Sequence, residues 1–416
     1  MSTVSNTEPV AKVSDDPRLD AASVAFLASY PPRRCGIASF TQDLLRAVAT
    51  CEGRAPGVIA LDEPGMFRSY GQVVLRRLRQ EEQGDYRRIA ADLNAGMAEL
   101  LCVQHEYGLY GGNSGRLLLT LLDRLRIPVV TTLHTTISAP DERLRTLTKA
   151  LCDQSAAIVV MSRAAASLLR DVYDVDAAKI HVIPHGNHWV EDPWNDREST
   201  RASLGCEGRT IVMTFGLLGP NKGIEYALRA MPAVVAAHPG VLYFVVGATH
   251  PGEVRRSAEG YRTSLTALAA ELGLADHVRF EARYLPDQEL RRWLSATDIY
   301  LLPSIEPDQV SSGTLGWAMG SGCAIISTEF RYARELLSGG DGRLVPIRDA
   351  SAIALELLRL LEDPEQLARL GRRAHEASWH TRWEDVGGQY HQLFNLVRTR
   401  VSDTRTPQLE TVKGAW

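Results

Sequence analysis

The chain of 416 residues has no run of about 18–20 apolar residues, so nothing in it reads as a membrane-spanning helix. Its first residues, MSTVSNTEPVAKVSDDPRLD, lack a basic segment followed by an apolar one, so a secretory leader is not expected and a cytoplasmic setting is. The six cysteines (Cys35, Cys51, Cys102, Cys152, Cys206 and Cys323) include no closely spaced pair, which argues against a disulfide framework and for reduced, mostly buried thiols. There is no basic excess: the formal net charge is −4, which excludes a general nucleic-acid or polybasic membrane binder but leaves room for a local phosphate pocket. No short internal repeat is visible. What remains is 45% hydrophobic and 23% charged, the balance of a globular protein with a substantial core, and the length allows two or three domains.

Residues 1–21 are polar and aperiodic and are expected to form a disordered tail. From Ser23 onward, β-rich runs (SVAFLAS, GVIAL, ELLCVQ, PVVTTL, AIVVM, IHVI) alternate with helical patterns near Ile37–Ala49, Asp85–Asn94, Ser114–Leu125, Glu142–Cys152 and Ser162–Val172. Continuous apolar strands imply burial on both faces, hence a mostly parallel sheet covered by helices. The first domain is placed at residues 22–185. Residues 186–203, GNHWVEDPWNDRESTRAS, read as a connection, after which TIVMTF, VLYFVV, HVRFEA, IYLLP, CAIIS and GRLVP restart the alternation in a second domain at 204–380. Helical patterns at Ala350–Leu361, Pro364–Ala377 and Trp383–Val397 follow, and residues 402–416 are expected to be a second disordered tail. The expected fold is α/β, with two facing Rossmann-like, doubly wound parallel sheets and a ligand cleft between the carboxyl ends of their strands.

The candidate site residues all follow predicted strand ends. In YPPRRCGIASF, Gly36 opens a helix whose free N–H groups suit a phosphate, with Arg33 and Arg34 able to add charge. In VQHEYGLYGGN, His105, Glu106, Tyr107 and Asn113 are candidates for the acceptor side of the cleft. His134 ends the strand PVVTTL, where a neutral imidazole can orient a sugar hydroxyl. His181, His185 and His188 match no metal motif, and IPHGNH is assigned to the hinge and cleft floor, with His185 facing the cleft; no metal is expected. In FGLLGPNKG, Gly216 ends a strand and Lys222 is a point charge placed for a diphosphate. In LLPSIEPDQVSSGTLGWAMGSG, Glu306, Asp308 and Gln309 can hold sugar hydroxyls, while Ser311, Ser312, Gly313, Thr314 and Leu315 form a hydroxyl-rich helix start able to bind phosphate.

Taken in order, these motifs resemble those of the family-4 retaining glycosyltransferases with the GT-B fold, over roughly Ser23 to Val401. The resemblance implies that two sheets enclose a nucleotide-sugar, a co-substrate written as UDP-, GDP- or ADP-sugar, with no further cofactor. It implies a helix near residues 381–401 crossing back to the first domain. By the same token Gly36 borders the diphosphate, His134 lies near the donor sugar, Lys222 pairs with the diphosphate, and the Ser311–Leu315 backbone binds phosphate. His134, Lys222 and Glu306 form the catalytic set. No protein nucleophile is implied, because a front-side mechanism stabilises a cationic sugar and a departing phosphate. The acceptor is a small molecule, a glycan or a lipid-linked molecule. Two departures stand out. Leu217 occupies the place of the arginine that usually precedes the lysine, and the usual pair of glutamates is incomplete: anchoring on the helix puts Gln309 and Trp317 in their places, so Glu306 and Gln309 compete for the donor sugar. Ser-Ser-Gly-Thr also resembles the Ala-Ser-Gly-Thr phosphate segment of α-glucan phosphorylases, although no pyridoxal-phosphate lysine segment accompanies it. A phosphorylase acting on a small glycoside and a non-catalytic GT-B protein therefore stay open as alternatives.

Overall fold

The computed structural model describes residues 22–405, with side chains described through residue 400; both expected tails lie largely outside that range. A seven-stranded, wholly parallel sheet has the order β3-β2-β1-β4-β5-β6-β7, with β1 Ala25–Ala28, β2 Gly57–Asp62, β3 Val74–Arg79, β4 Leu101–His105, β5 Val129–Leu133, β6 Ala157–Val160 and β7 Ile180–Val182. A six-stranded parallel sheet follows in the order β10-β9-β8-β11-β12-β13, with β8 Thr210–Phe215, β9 Val241–Val246, β10 Val278–Glu281, β11 Ile299–Leu302, β12 Ala324–Thr328 and β13 Arg343–Val345. Every residue of β1, β2, β4, β5, β6, β9, β11 and β12 is buried, because helices cover both faces. This is the GT-B arrangement of two α/β domains.

Strand order reverses between β1 and β4 in the first sheet and between β8 and β11 in the second. At such a switch point neighbouring crossovers run to opposite faces and leave a crevice beyond the strand carboxyl ends. The glycine turn at Gly36 follows β1, His105 ends β4, Gly216 follows β8, and Pro303 follows β11. The topology thus sets the sequence motifs around two crevices.

All twelve runs expected as strands lie on strands. β3, VLRRLR, was not anticipated: it is an edge strand on which only Leu78 is buried, so its arginines can point to solvent without costing core. The helix expected at Ser114–Leu125 is confined to Leu117–Leu122, since Gly112, Ser114 and Gly115 all have positive φ (74°, 57° and 90°), which a right-handed helix cannot accommodate. The connecting segment 186–203 contains a helix of its own, Arg197–Ser203, pinned to the second domain by Arg197 and Arg201, both ion-paired with Asp298. Helix Trp383–Arg405 returns to the first domain and lies against helix Gly36–Ala49; a Cβ on Gly387 would come within 2.6 Å of Ala47, so glycine permits the close approach. Its Val386, Tyr390, Phe394 and Val397 share one core cluster with Phe26, Leu44 and Val58. Among the described residues no helix is long and apolar enough to cross a membrane.

Candidate active site

The first-domain wall begins at helix Gly36–Ala49. Cys35 is its N-cap, with extended backbone and its sulfur 3.4 Å from the Ala38 N–H. Gly36 is exposed, and a Cβ there would meet nothing within 4 Å, so open space lies before the helix start. Farther along, Phe40 presents its ring to His134 (4.7 Å), His185 (5.0 Å) and Trp383 (5.2 Å), all roughly edge-on. It gathers the two histidines on the cleft floor.

His134 is half-buried. Gln104 directs its amide NH2 at Cys102 Sγ and its carbonyl at His134 Nε2, 2.9 Å away. Nε2 therefore carries the proton and Nδ1 is left as an acceptor. Burial, with His185 and His105 nearby, drives the imidazole down to about 3, so it is neutral at any working pH. His185 is likewise lowered by burial; its Nδ1 bonds the Gly186 carbonyl at 2.7 Å, and its ring reaches the second domain, where a Cβ on Gly313 would lie 2.9 Å from His185 Nε2.

The second-domain wall is shaped by glycines. Gly216 (φ 135°) and Gly247 (φ 138°) lie so close that a Cβ on Gly247 would stand 1.9 Å from the Gly216 carbonyl, and at Gly223 (φ 62°) it would stand 2.2 Å from the Pro303 carbonyl. Between them, Pro220–Lys222 forms a 3-10 turn fastened to the next crevice by the Asn221 carbonyl, which accepts from the Ile305 N–H. The Lys222 ammonium makes no hydrogen bond or ion pair with another described residue, and burial lowers its pKa. A desolvated cation without a counter-ion calls for an anion from outside.

Other members of the expected set fall elsewhere. His105 is fully buried, its ring stacked parallel to Tyr110 at 6.1 Å and lowered by burial to about 4, so it touches no acceptor; both ring nitrogens lack partners among the described residues. Asn113 is exposed in the 3-10 turn Asn113–Gly115. The Glu306 side chain is exposed and makes no hydrogen bond or ion pair with a described residue; Gln309 is spent inside the same loop, bonding the Ser311 carbonyl and the Ser304 hydroxyl. Leu315 is buried in the second core, and its N–H already bonds the Ser312 hydroxyl, the N-cap of helix Gly313–Gly320. Ser312 and Leu315 therefore cap the helix, while Ser311, Gly313 and Thr314 remain half-exposed. The Ser311 hydroxyl donates to the His134 carbonyl across the cleft. Glu106 and Tyr107 stay at the cleft edge, half-buried.

Groups far apart in sequence close the two domains together. Ser138 donates to Asp308, which also pairs with Arg331; Glu335 accepts from the Arg163 and Ala164 N–H groups; Ser39 meets Tyr284 at 2.8 Å. Asp43, His188 and Asp287 bring ligand-type atoms within 4.8 Å of one another and could hold a metal ion. As they stand, Arg291 donates to His188 Nδ1, so the Nε2–H donates to Asp43, and Arg291, His188 and Asp43 form a hydrogen-bond relay. Sequence spacing could not expose it, since its members come from three separate segments. Trp317 covers His188, with ring centroids 3.9 Å apart.

Two family models match in succession. "Glycosyltransferase Family 4" covers residues 36–187 and "Glycosyl transferases group 1" covers residues 209–363. The chain is a family 4, group 1 glycosyltransferase. The enzyme is 28% identical over 300 residues to the D-inositol 3-phosphate glycosyltransferase of Corynebacterium glutamicum (strain R), spanning 68% of this chain and 70% of that one. It is 30% identical over 192 residues to the phosphatidyl-myo-inositol mannosyltransferase of Mycolicibacterium smegmatis, a match that spans 46% of either protein. Among solved structures, sucrose-phosphate synthase from Thermosynechococcus elongatus superimposes with a TM-score of 0.73 at 20% identity, covering 91% of this glycosyltransferase and 100% of that chain. Anabaena Alr3699/HepE in complex with UDP gives 0.70 at 17%, covering 90% and 100%. These two likenesses concern the fold.

Proposed function

We propose that this glycosyltransferase moves a sugar from a nucleoside-diphosphate sugar to a hydroxyl of its acceptor, with retention at the anomeric carbon. The observation that carries this reading is Lys222: a desolvated ammonium without a counter-ion, on a glycine-built loop at the second-domain crevice. Lys222 and the open helix start at Gly36 take the diphosphate, and their positive potential stabilises the charge that grows on the leaving phosphate. Nδ1 of the neutral His134 accepts a hydroxyl of the donor sugar and fixes the ring. UDP in the related Anabaena structure is in keeping with such a donor. Retention rests on the family resemblance.

The test is thermal-shift binding of UDP, GDP, ADP, dTDP and inorganic phosphate to the wild-type protein and to Lys222→Ala. A nucleoside diphosphate that raises the melting temperature of the wild type, and much less that of the variant, supports the reading. A shift with phosphate alone points to phosphorolysis instead. Silence across the panel overturns donor binding.

A further inference from the structure

The turn that carries Lys222 rests on two supports. On the β11 side the Asn221 carbonyl accepts from the Ile305 N–H. On the β9 side lies the segment 247–250, which directly follows that strand. The Leu218 N–H donates to the Ala248 carbonyl at 2.9 Å, and the Leu218 carbonyl accepts from the His250 N–H at 2.8 Å, so Leu218 is laced into this segment by a short parallel bridge. Next in the chain, the Gly219 carbonyl accepts from the Lys222 N–H at 2.9 Å, so a displacement of 247–250 passes directly into the turn. The two loops also meet electrostatically: burial lowers the His250 pKa, Glu253 opposes this, and the Lys222 ammonium lowers it again.

Arg262, in the first turn of helix Gly260–Glu271, holds 247–250 on either side of Ala248. Its Nη2 donates to the Gly247 carbonyl at 2.7 Å and to the Thr249 hydroxyl at 3.3 Å. Gly247 is the residue whose backbone abuts Gly216 at the crevice. The Arg262 side chain is only 12% exposed, and its Nη1 is buried with no hydrogen-bond partner among the described residues. Glu259 accepts from its Nε at 3.1 Å and from the Thr249 hydroxyl, but that carboxylate is 54% exposed, so water screens the pair. Desolvating a guanidinium for one carbonyl and one hydroxyl is costly, and a neutral amide would satisfy the same acceptors at less cost. What a neutral group does not supply is positive charge behind the Lys222 loop. A diphosphate carries more charge than one ammonium neutralises, and Leu217 stands where an arginine would have added to it.

We propose that Arg262 is a positioning residue of the donor site: by holding 247–250 it fixes the Lys222 turn, and its buried charge adds to the positive potential that receives the diphosphate. This rests on the donor reading above. Arg262 acts through the two loops and not by contact with the sugar.

The experiment titrates wild type, Arg262→Met, Arg262→Lys, Lys222→Ala and the double variant Arg262→Met/Lys222→Ala with the nucleoside diphosphate that binds the wild type, and records a urea midpoint for each. Arg262→Met raises Kd about tenfold or more, and Arg262→Lys, which keeps the charge, binds at least about threefold more tightly than Arg262→Met. The double variant binds no more than about threefold more weakly than Lys222→Ala alone, because the two residues act as one unit. Thr249→Val, which removes one group that Arg262 holds, raises Kd by a smaller factor and serves if Arg262→Met does not fold. A lowered urea midpoint with Kd unchanged is the mark of a purely structural role and overturns the proposal while donor binding stands. So does a double variant whose loss equals the product of the single losses, or an Arg262→Lys no tighter than Arg262→Met. Failure of every nucleoside diphosphate to bind the wild type overturns both readings.

Discussion

The two walls of the cleft solve opposite problems. On the first-domain side, His134, Glu106, Thr135 and Tyr107 are tied to protein partners before any ligand arrives, and the imidazole is held neutral. On the second-domain side, the Lys222 ammonium has no partner among the described residues, and glycines clear the backbone around its loop. Pre-bonded, mostly neutral groups suit hydroxyls, whose geometry must be fixed; an uncompensated cation suits a diphosphate, whose charge must be met. The difference teaches that the division of labour lies in which groups are left unsatisfied.

The sharpest way to break this contrast is Lys222→Ala. Losing a charge-assisted contact to the leaving group should lower kcat/KM by about 100- to 1000-fold and abolish most of the diphosphate-induced melting shift. Unchanged steady-state kinetics would remove the second wall from the chemistry. Next comes acidification. His134 and His105 titrate near 3 and 4 in the fold, below the ordinary value of 6.5. The unfolded chain thus binds more protons between those limits, and stability should fall as pH drops below about 6.5, by up to about 1.4 kcal/mol per pH unit for each histidine. Urea titrations at pH 7.5 and 5.5 measure the slope, and a midpoint indifferent to pH would mean these rings are not held neutral. His134→Ala should lower transfer about 10- to 100-fold by removing one hydroxyl contact while leaving the diphosphate melting shift in place; loss of both would erase the distinction between the walls. The smallest effect is expected for Ser312→Ala, which removes a helix N-cap and should cost about 1 kcal/mol in a denaturant titration with little change in donor binding.

Most of the scaffold was legible because buried parallel strands write themselves as unbroken apolar runs, and eight of the twelve strands read from the sequence are buried at every residue. β3 escaped because an edge strand needs only Leu78 inside, and its arginines disguise the pattern. The site was legible as strand-end motifs, but side-chain direction was not. Glu306 and Gln309 looked equally available to the donor, yet the loop's own carbonyl and hydroxyl consume Gln309, while the Glu306 side chain stays exposed. His105 and His134 read alike as histidines at strand ends; one lies within β4 and is wholly enclosed, while the other, just past β5, faces the cleft. The relay of Arg291, His188 and Asp43 has no local signal at all.

The helix Trp383–Arg405 has a consequence for how the protein is made. Trp383, Val386, Tyr390, Leu393, Phe394 and Val397 complete the hydrophobic centre of a domain whose other members precede residue 184. While the ribosome is still producing the second domain, the first carries an apolar groove with nothing to fill it. Domains usually fold as they emerge, but this one is completed only once the segment from Trp383 to Val397 has been made, so a stop codon placed before Trp383 should leave both domains translated and the first incompletely folded.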